Sequence, residues 1–238
     1  TELIAGGALS GCDELTEIII PDSVKYIGNS AFSNCSGIKS IVVPKNVIKT
    51  GRAVFSDCDN LESVEILGSI TVVDYLSFYY CKKLTRVVLP DTVKTIGESA
   101  FNGCASLEEI QLPEGLEVIA KKAFNYSPKL TSINFPESLT EIGDYAFEKT
   151  NISSVHISSD VSAIGECAFY NTPNLSTITV DENNPHFVFD GKALYSKDKS
   201  KLFCYPSGTE QSLYVIDGET KTIDRSAFSG NPYLEAIT

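Results

Sequence analysis

Thiol side chains are the groups in this sequence with the widest range of possible chemistry. Seven cysteines are present. Five of them recur at intervals of 23 residues: Cys12, Cys35, Cys58, Cys81 and Cys104. Thiols can form disulfides, bind metals or act as nucleophiles. No two cysteines have C-x-x-C spacing, and the only histidines are His156 and His186. The regular spacing therefore favours a structural role in a repeated unit over a disulfide framework or a metal site.

Catalytic chemistry has little support elsewhere in the sequence. A nucleophile needs an adjacent base and an orienting group, and His156 stands beside Ser154 in a strand-like segment with no acid fixed next to it. Acidic residues are spread around predicted turns, which does not support paired-carboxylate chemistry. Asp181, Glu182 and Asn183 do not match a calcium loop. We therefore assign no catalytic residue, no metal ligand and no cofactor, and a hydrolase on a repeat scaffold is an unsupported alternative.

The composition argues against several classes of partner. The chain has 238 residues, 42% of them hydrophobic, and a formal net charge of -12. A negative surface repels phosphate backbones and anionic lipids, so binding to nucleic acid or to membranes is disfavoured. No apolar run approaches the roughly 20 residues of a transmembrane helix. The first residue is Thr1, which we interpret as the start of a processed chain or of a fragment of a longer protein.

The cysteines form one column of a repeat that extends along most of the chain. A phenylalanine recurs at Phe32, Phe55, Phe78, Phe101, Phe124, Phe147, Phe169 and Phe228. Leucine or isoleucine recurs at Leu15, Ile38, Leu61, Leu84, Leu107, Leu130, Ile152 and Leu175. Proline ends the unit at Pro21, Pro44, Pro90, Pro113 and Pro136. A period of about 20–29 residues with L-x-x-I-x-L segments indicates a solenoid, in which stacked units bury a continuous core.

Each unit contains a predicted strand, a short second strand and a turn. In LEEIQLP, Ile110 and Leu112 alternate with Glu109 and Gln111, which is strand periodicity ended by proline. The segment after the proline, such as 91–96, predicts a short second strand, and S-A-F-x-x-C predicts a tight helical or 3₁₀ turn.

The repeat also explains the cysteine column. A small, weakly polar side chain fits inside each coil. Equivalent positions in stacked strands lie about 4.8 Å apart, and their parallel Cβ vectors do not converge as a disulfide requires. We predict a column of reduced thiols in which Ser127 and Thr150 are substitutes. Cys204, outside the column, is predicted to be a buried strand residue.

These columns, I-G-x-x-A-F-x-x-C-x-x-L-x-x-I-x-L-P, closely resemble the BspA-like, or treponemal-type, leucine-rich repeat. The best copies are IGNSAFSNCSGIKSIVVP at 27–44 and IGESAFNGCASLEEIQLP at 96–113. The resemblance covers 4–180 and resumes at 223–237, with departures at Thr50, Val54, Asp74 and Ser77. It implies a β-rich, right-handed leucine-rich-repeat coil with a parallel sheet on one face and short second strands or 3₁₀ segments on the other. Family members are mostly secreted or surface-attached bacterial proteins implicated in adhesion, which implies extracellular or cell-surface display.

Residues 181–217 interrupt the repeat. FVFDGKALYSKDKSKLFCYP predicts strands at Phe187–Phe189 and at 193–195, joined by a tight turn at Asp190 and Gly191. A second turn, SKDKSK, leads to 202–205. The insertion resembles β-hairpins added to the coil in the same family. Because the repeat resumes at 218–238, we interpret 1–238 as a single domain, with 23-residue repeats over 4–180.

Outward-facing strand residues predict a binding surface on the main sheet, the usual ligand face of a solenoid. These sheet-face residues are Ile19, Val42, Glu65, Arg86, Val88, Gln111, Asn134 and His156. We expect Ile19, Val42 and Val88 to be exposed apolar contacts for a partner. The alternative is that such β-branched residues are there for strand propensity.

A set of tyrosines near the turns predicts an aromatic rim. The rim tyrosines are Tyr75, Tyr79, Tyr80, Tyr126 and Tyr170. Tyrosine is enriched at binding hot spots, although half-buried tyrosines also cap loops.

From the sheet-face pattern we expect a non-enzymatic protein-interaction module, and the family resemblance implies a protein ligand in the host extracellular matrix or on another cell. The alternative is a structural spacer that displays another domain and has no ligand of its own. Free thiols are unusual outside cells, but burial would protect them. Both chain ends fall inside repeat units, so we expect them to continue in a longer protein or to pair between copies.

Overall fold

The computed structural model describes residues 1–238, which form a solenoid of short strands and turns without a helix. In chain order the strands are β1 (Leu3–Ile4), β2 (Tyr26–Ile27), β3 (Ser40–Val43), β4 (Lys49–Thr50), β5 (Ser63–Ile66), β6 (Val72–Val73), β7 (Arg86–Val88), β8 (Thr95–Ile96), β9 (Val118–Ile119), β10 (Glu141–Ile142), β11 (Ser154–Ile157), β12 (Ala163–Ile164), β13 (Thr177–Val180), β14 (Phe187–Phe189), β15 (Leu194–Ser196), β16 (Lys201–Cys204), β17 (Leu213–Tyr214), β18 (Thr222–Ile223) and β19 (Ala236–Ile237). No helix in the structure has the length and apolar character needed to cross a lipid bilayer.

Parallel pairing joins successive coils on two faces. On the main face, β3, β5 and β7 form one parallel sheet and β11 and β13 form another. On the second face, two-residue strands form a three-stranded sheet (β1, β2 and β4) and a five-stranded sheet (β6, β8, β9, β10 and β12). The predicted solenoid, with its parallel main sheet and short second strands, is confirmed.

The interior is a stack of equivalent apolar side chains. One cluster contains 51 buried residues. The phenylalanine column from Phe32 to Phe169 forms its centre, with adjacent rings nearly parallel and 5.1–5.9 Å apart between centroids. Each coil therefore completes the core of the next, because one coil buries too little apolar area to offset the entropy of ordering its backbone.

The S-A-F-x-x-C segment, predicted to be a tight helical or 3₁₀ turn, forms hydrogen-bonded turns without a continuous helix. In one coil the Ala100 amide donates to the Gly97 carbonyl and the Cys104 amide to the Phe101 carbonyl, both i→i+3 bonds. Ser99 and Gly103 between them have positive φ angles of 56° and 79°. A left-handed residue inside each turn stops the helix from propagating. The same positions have positive φ in other coils, which gives every coil the same corner.

Glycine at the start of this corner permits close contact between coils. A Cβ built on Gly143 would lie 2.4 Å from the Lys121 amide nitrogen, and one on Gly165 would lie 2.3 Å from that of Asp144. Real Cβ atoms do not approach backbone so closely, so glycine is favoured here. Asp74 and Ala120 occupy the same column, where the neighbouring coil accommodates a side chain.

The thiol column is buried and hydrogen-bonded to the preceding coil. All seven cysteines are free, and Cys35, Cys58, Cys81 and Cys104 are buried. The thiols of the last three donate to the carbonyls of the phenylalanines 26 residues earlier at 3.0–3.2 Å. Ser127 makes the equivalent bond to Phe101 at 3.1 Å. The column therefore selects a small donor, which explains why serine can replace cysteine.

Substitution of Cys58 by serine should leave the stability of the protein at neutral pH nearly unchanged. It should also reduce the stability that is lost at alkaline pH. Burial raises the pKa of Cys58 from its ordinary 9.0 to about 12. The pKa of the Cys58 thiol is higher in the folded protein than in the unfolded chain. The neutral buried thiol therefore contributes its full stability below about pH 9, and this contribution is lost as the pH rises toward 12. We expect the two proteins to agree within about 1 kcal/mol at neutral pH and the serine variant to have lost about 2 kcal/mol less at about pH 11.

The measurement is urea unfolding, followed by circular dichroism, over this pH range. A thiol reagent gives a control: the half-buried Cys12 should be labelled in the native protein and Cys58 should not. Rapid native-state labelling of Cys58, or identical alkaline losses in both proteins, would contradict the prediction.

Residues 181–217 contain the predicted hairpin and also continue the coil. Strands β14 and β15 pair antiparallel, as do β15 and β16, with an irregularity at Leu194 and Tyr195. Strand β16 then pairs parallel with β18, and β17 pairs parallel with β19. The Tyr205 amide donates to the Ala227 carbonyl, the bond that a column phenylalanine makes elsewhere. Cys204, predicted to be buried, lies in β16 but is half-buried.

Candidate functional site

A groove of about 630 Å³ crosses the main sheet face. Its walls come from three successive coils, at residues 85–88, 109–112 and 132–137. Four of the predicted sheet-face residues line it: Arg86, Val88, Gln111 and Asn134. The structure therefore brings half of the predicted set together in one concave surface.

The main sheet is open at this groove. The Lys39 carbonyl accepts the Glu62 amide at 2.7 Å, and the Glu62 carbonyl accepts the Thr85 amide at 2.9 Å. At the equivalent place one coil later, the Thr85 carbonyl accepts no backbone hydrogen bond, and no such bond joins residues 109–112 to β7. Elsewhere in the main sheet, such backbone groups pair neighbouring coils with each other. At the groove they have no backbone partner and are free to bind a ligand.

The segment 109–112 corrects the expectation of a paired strand. Its side chains alternate as predicted, with Ile110 and Leu112 buried and Glu109 and Gln111 exposed. It has no strand partner in the preceding coil. Burial fixes the alternation of side chains, whereas pairing also requires the coils to approach within hydrogen-bonding distance on this face.

The charged side chains of the groove are free. Glu109, Glu114 and Glu137 are exposed, as is Arg86. None of the four is part of an ion pair; the salt bridges of the chain lie elsewhere. The groove therefore presents three carboxylates and one guanidinium whose charges no other side chain of the protein neutralises.

The other predicted sheet-face residues lie outside the groove. Ile19 and Val42 are 91% and 47% exposed and line a separate depression of about 500 Å³ with Leu67. Glu65 is half-buried, and so is Val88, which was expected to be exposed. Val88 forms part of the groove wall, so its side chain is not a protruding contact.

His156 has a hydroxyl partner and no acidic one. Its Nδ1 atom lies 2.9 Å from Thr179 Oγ1, and the imidazole is exposed. The general base of a Ser-His-Asp triad is oriented by a carboxylate and lies beside a nucleophile. No group of three His, Cys, Asp or Glu side chains comes together as a metal site would require. The geometry at His156 is that of a polar surface side chain.

Three of the five rim tyrosines lie close to cations. Tyr75, Tyr80 and Tyr126 are exposed, whereas Tyr79 and Tyr170 are half-buried. The ammonium of Lys149 lies 3.9 Å from the centroid of the Tyr126 ring, and the cations of Arg52 and Lys82 lie 5.8 and 6.0 Å from Tyr75 and Tyr80. Such contacts hold the rings against the turns, so they fix the rim in place.

Tyr80 and Tyr126 also occupy left-handed corner positions, with φ angles of 55° and 56°. Asn34, Asp57 and Gly103 hold the equivalent places in other coils. A left-handed conformation is unfavourable for tyrosine, so the backbone conformation at these two positions does not explain the presence of the rings.

Glu114 and Glu137 were not identified from the sequence. Both directly follow the proline that ends a main strand, a position treated as a turn. Their common offset from Pro113 and Pro136 was available as a signal. The sequence does not show that the main sheet is open here. Because of that opening, these two residues line a groove and are not ordinary loop positions.

The sequence and the structure have detectable relatives. The family model described as "BspA type Leucine rich repeat region" matches in six copies, over residues 2–101 and 71–197. A comparison with curated proteins finds no match.

Solved structures of three bacterial proteins have the same fold. A leucine-rich repeat protein from Bacteroides ovatus is 27% identical, with a TM-score of 0.73, over 98% of this chain and 63% of that one. A leucine-rich cell surface protein from Faecalibacterium prausnitzii is 27% identical, with a TM-score of 0.68, over 99% and 58%. A leucine-rich repeat protein from Eubacterium ventriosum is 29% identical, with a TM-score of 0.71, over 76% and 48%. The chain thus spans less than two-thirds of the length of each.

Proposed function

Because the chain belongs to the BspA type leucine-rich repeat family, we propose that it is a non-enzymatic protein-interaction module that uses its main sheet face. Its ligand is a protein of the host extracellular matrix or of another cell surface. The observation that carries the proposal is the groove of about 630 Å³ on that face, lined by unpaired polar and charged side chains. Such a surface offers a ligand hydrogen-bonding groups that folding has not consumed.

One comparison supports display at a bacterial surface, and the burial of the thiols is compatible with it. A relative of 27% identity is a leucine-rich cell surface protein of Faecalibacterium prausnitzii. The thiols that oxidising surroundings would threaten are largely buried in the core, which protects them from oxidation.

Substitutions on the sheet face should weaken binding, whereas a charge change elsewhere should not. Gln111→Arg places a long cation in the centre of the groove, and Val42→Asp places a charge in the apolar depression. We expect at least one of them to weaken binding to a matrix protein about ten-fold, because a central contact contributes more than about 1 kcal/mol. Binding is measured on a panel of immobilised host matrix proteins.

The matched control is Lys121→Glu, an exposed position after the second strand of its coil. It should leave binding unchanged. If no matrix protein binds the chain saturably, the spacer alternative is favoured. If binding survives both sheet-face substitutions, the main face is not the ligand surface.

A further inference from the structure

The open part of the main sheet fits one kind of ligand. We propose that the groove binds an extended, basic peptide segment of a partner protein, which adds as a strand alongside β7. This inference rests on the proposed function, because it gives the ligand class for the same sheet face.

Backbone hydrogen bonding supports the addition of a strand. The Arg86 amide donates to the Glu62 carbonyl in the preceding coil at 3.2 Å. Amides alternate in direction along a strand, so the N–H and C=O of Val87 face the groove. Neither they nor the Thr85 carbonyl has a backbone partner in the coil of residues 109–112. An extended peptide can take up these groups, as peptides do at other open sheet edges.

The missing pairing is confined to the main face, because the same two coils are joined on the second face and in the core. On the second face, β8 and β9 of the same two coils pair in register through Thr95 with Val118 and Ile96 with Ile119. Inside, the rings of Phe101 and the next column phenylalanine stay stacked at 5.3 Å. Because these contacts fix the two coils relative to each other before a peptide binds, little conformational free energy would be lost in ordering the groove.

The charges of the groove select the peptide. Glu109, Glu114 and Glu137 line it together with one cation, Arg86, and the chain as a whole carries a net charge of -12. A basic peptide would be attracted over distance and would neutralise carboxylates that have no partner. An acidic peptide or a nucleic acid would be repelled.

Synthetic peptides test both parts of the inference. The probe is a short fluorescent peptide of alternating lysine and valine, compared with one of alternating glutamate and valine. Two further lysine–valine peptides are N-methylated, one at every lysine and the other at every valine, so that each loses the donors of one edge. We expect the lysine–valine peptide to bind saturably, about ten-fold more tightly than the glutamate–valine peptide and than at least one methylated peptide. Hydrogen exchange at the Val87 amide should slow on binding.

The outcomes are separable. Absence of saturable binding by the lysine–valine peptide overturns the proposal. If both methylated peptides bind as tightly as the unmethylated lysine–valine peptide, strand addition is ruled out. If the glutamate–valine peptide binds as tightly as the lysine–valine peptide or more tightly, the basic class is ruled out. The variant Glu109→Lys with Glu137→Lys should bind the lysine–valine peptide about ten-fold more weakly. A control of equal net charge, Glu14→Lys with Glu219→Lys, changes exposed residues away from the groove and should bind normally.

The matrix-protein panel distinguishes this inference from the proposed function. If Gln111→Arg weakens binding to a matrix protein while both methylated peptides bind as the parent does, the sheet face keeps its role and strand addition is wrong. If the peptides discriminate as expected while no matrix protein binds, the peptide site is supported and the proposed matrix ligand is wrong.

Discussion

Substitution of Phe101 by alanine should lower the free energy of unfolding by about 3–5 kcal/mol. The side chain is completely buried, and its ring stacks on Phe78 at 5.1 Å and on Phe124 at 5.3 Å between centroids. Alanine removes apolar area and leaves a cavity between two coils that are held apart by their other contacts. Each lost aromatic pair adds about 0.5–1.5 kcal/mol to the area term, which places the expected effect toward the upper end of the range.

The position of Phe101 in the array should also change the shape of the unfolding curve. Each coil contacts its neighbours only, so stability depends on the interfaces between adjacent coils. A weak interface in the middle should let the two halves unfold separately, which broadens the transition or divides it in two. Urea unfolding followed by circular dichroism measures both effects, and it suits a chain without tryptophan.

Two further variants define what is special about this site. Phe101→Leu keeps an apolar side chain of similar size but loses both aromatic pairs, so it should cost clearly less than Phe101→Ala without being neutral; Leu9 holds the equivalent place in the first coil. Phe228→Ala removes the column residue near the chain end, where the ring is half-buried, and should cost less than Phe101→Ala. Equal losses of stability in Phe101→Ala and Phe228→Ala would contradict the explanation that stability depends on the interfaces between adjacent coils.

The interior columns could be predicted because each is filled by one kind of side chain. Phenylalanine, leucine and isoleucine recur at fixed spacing since each coil must present the same shape to the next, and the structure buries them as one cluster. The role of the column cysteine could be predicted only in part. Its size and burial followed from the pattern, but the bond from Cys81 to the Phe55 carbonyl at 3.0 Å depends on the backbone of the preceding coil.

The sequence could predict which residues of the candidate site face outward, but not where on the sheet they form a groove. Alternation showed that Arg86, Gln111 and Asn134 point away from the core. It could not show that these coils lack backbone pairing on the main face while staying paired on the second face. A repeat sequence specifies equivalent positions, whereas the spacing between two particular coils is the net result of contacts on all their faces. The groove lies where pairing between coils is missing, so the columns alone could not locate it.

Position 184 is another feature that periodicity could not reveal. Asn184 is completely buried where the regular repeats give way to residues 181–217. Its Nδ2 atom donates to the carbonyls of Ser158 and Val161 at 2.7 and 2.9 Å. Its Oδ1 atom accepts the amides of His186 and Phe187, both at 2.8 Å. One side chain thus satisfies four backbone groups and fixes the chain as it enters β14.

Asn184→Ala should therefore destabilise the protein by about 4 kcal/mol, from roughly 1 kcal/mol for each backbone group left without a partner. Urea unfolding measures the loss, and hydrogen exchange should become faster at the His186 and Phe187 amides. Asn231 makes the same four kinds of bond but is only half-buried, so water can replace it and Asn231→Ala should cost less. Asn183→Ala alters an exposed neighbour and should change stability by less than about 0.5 kcal/mol. If Asn183→Ala and Asn184→Ala lower the stability equally little, the four hydrogen bonds do not stabilise this junction. If only Asn184→Ala lowers it, a single buried amide side chain holds residues 181–217 onto the solenoid.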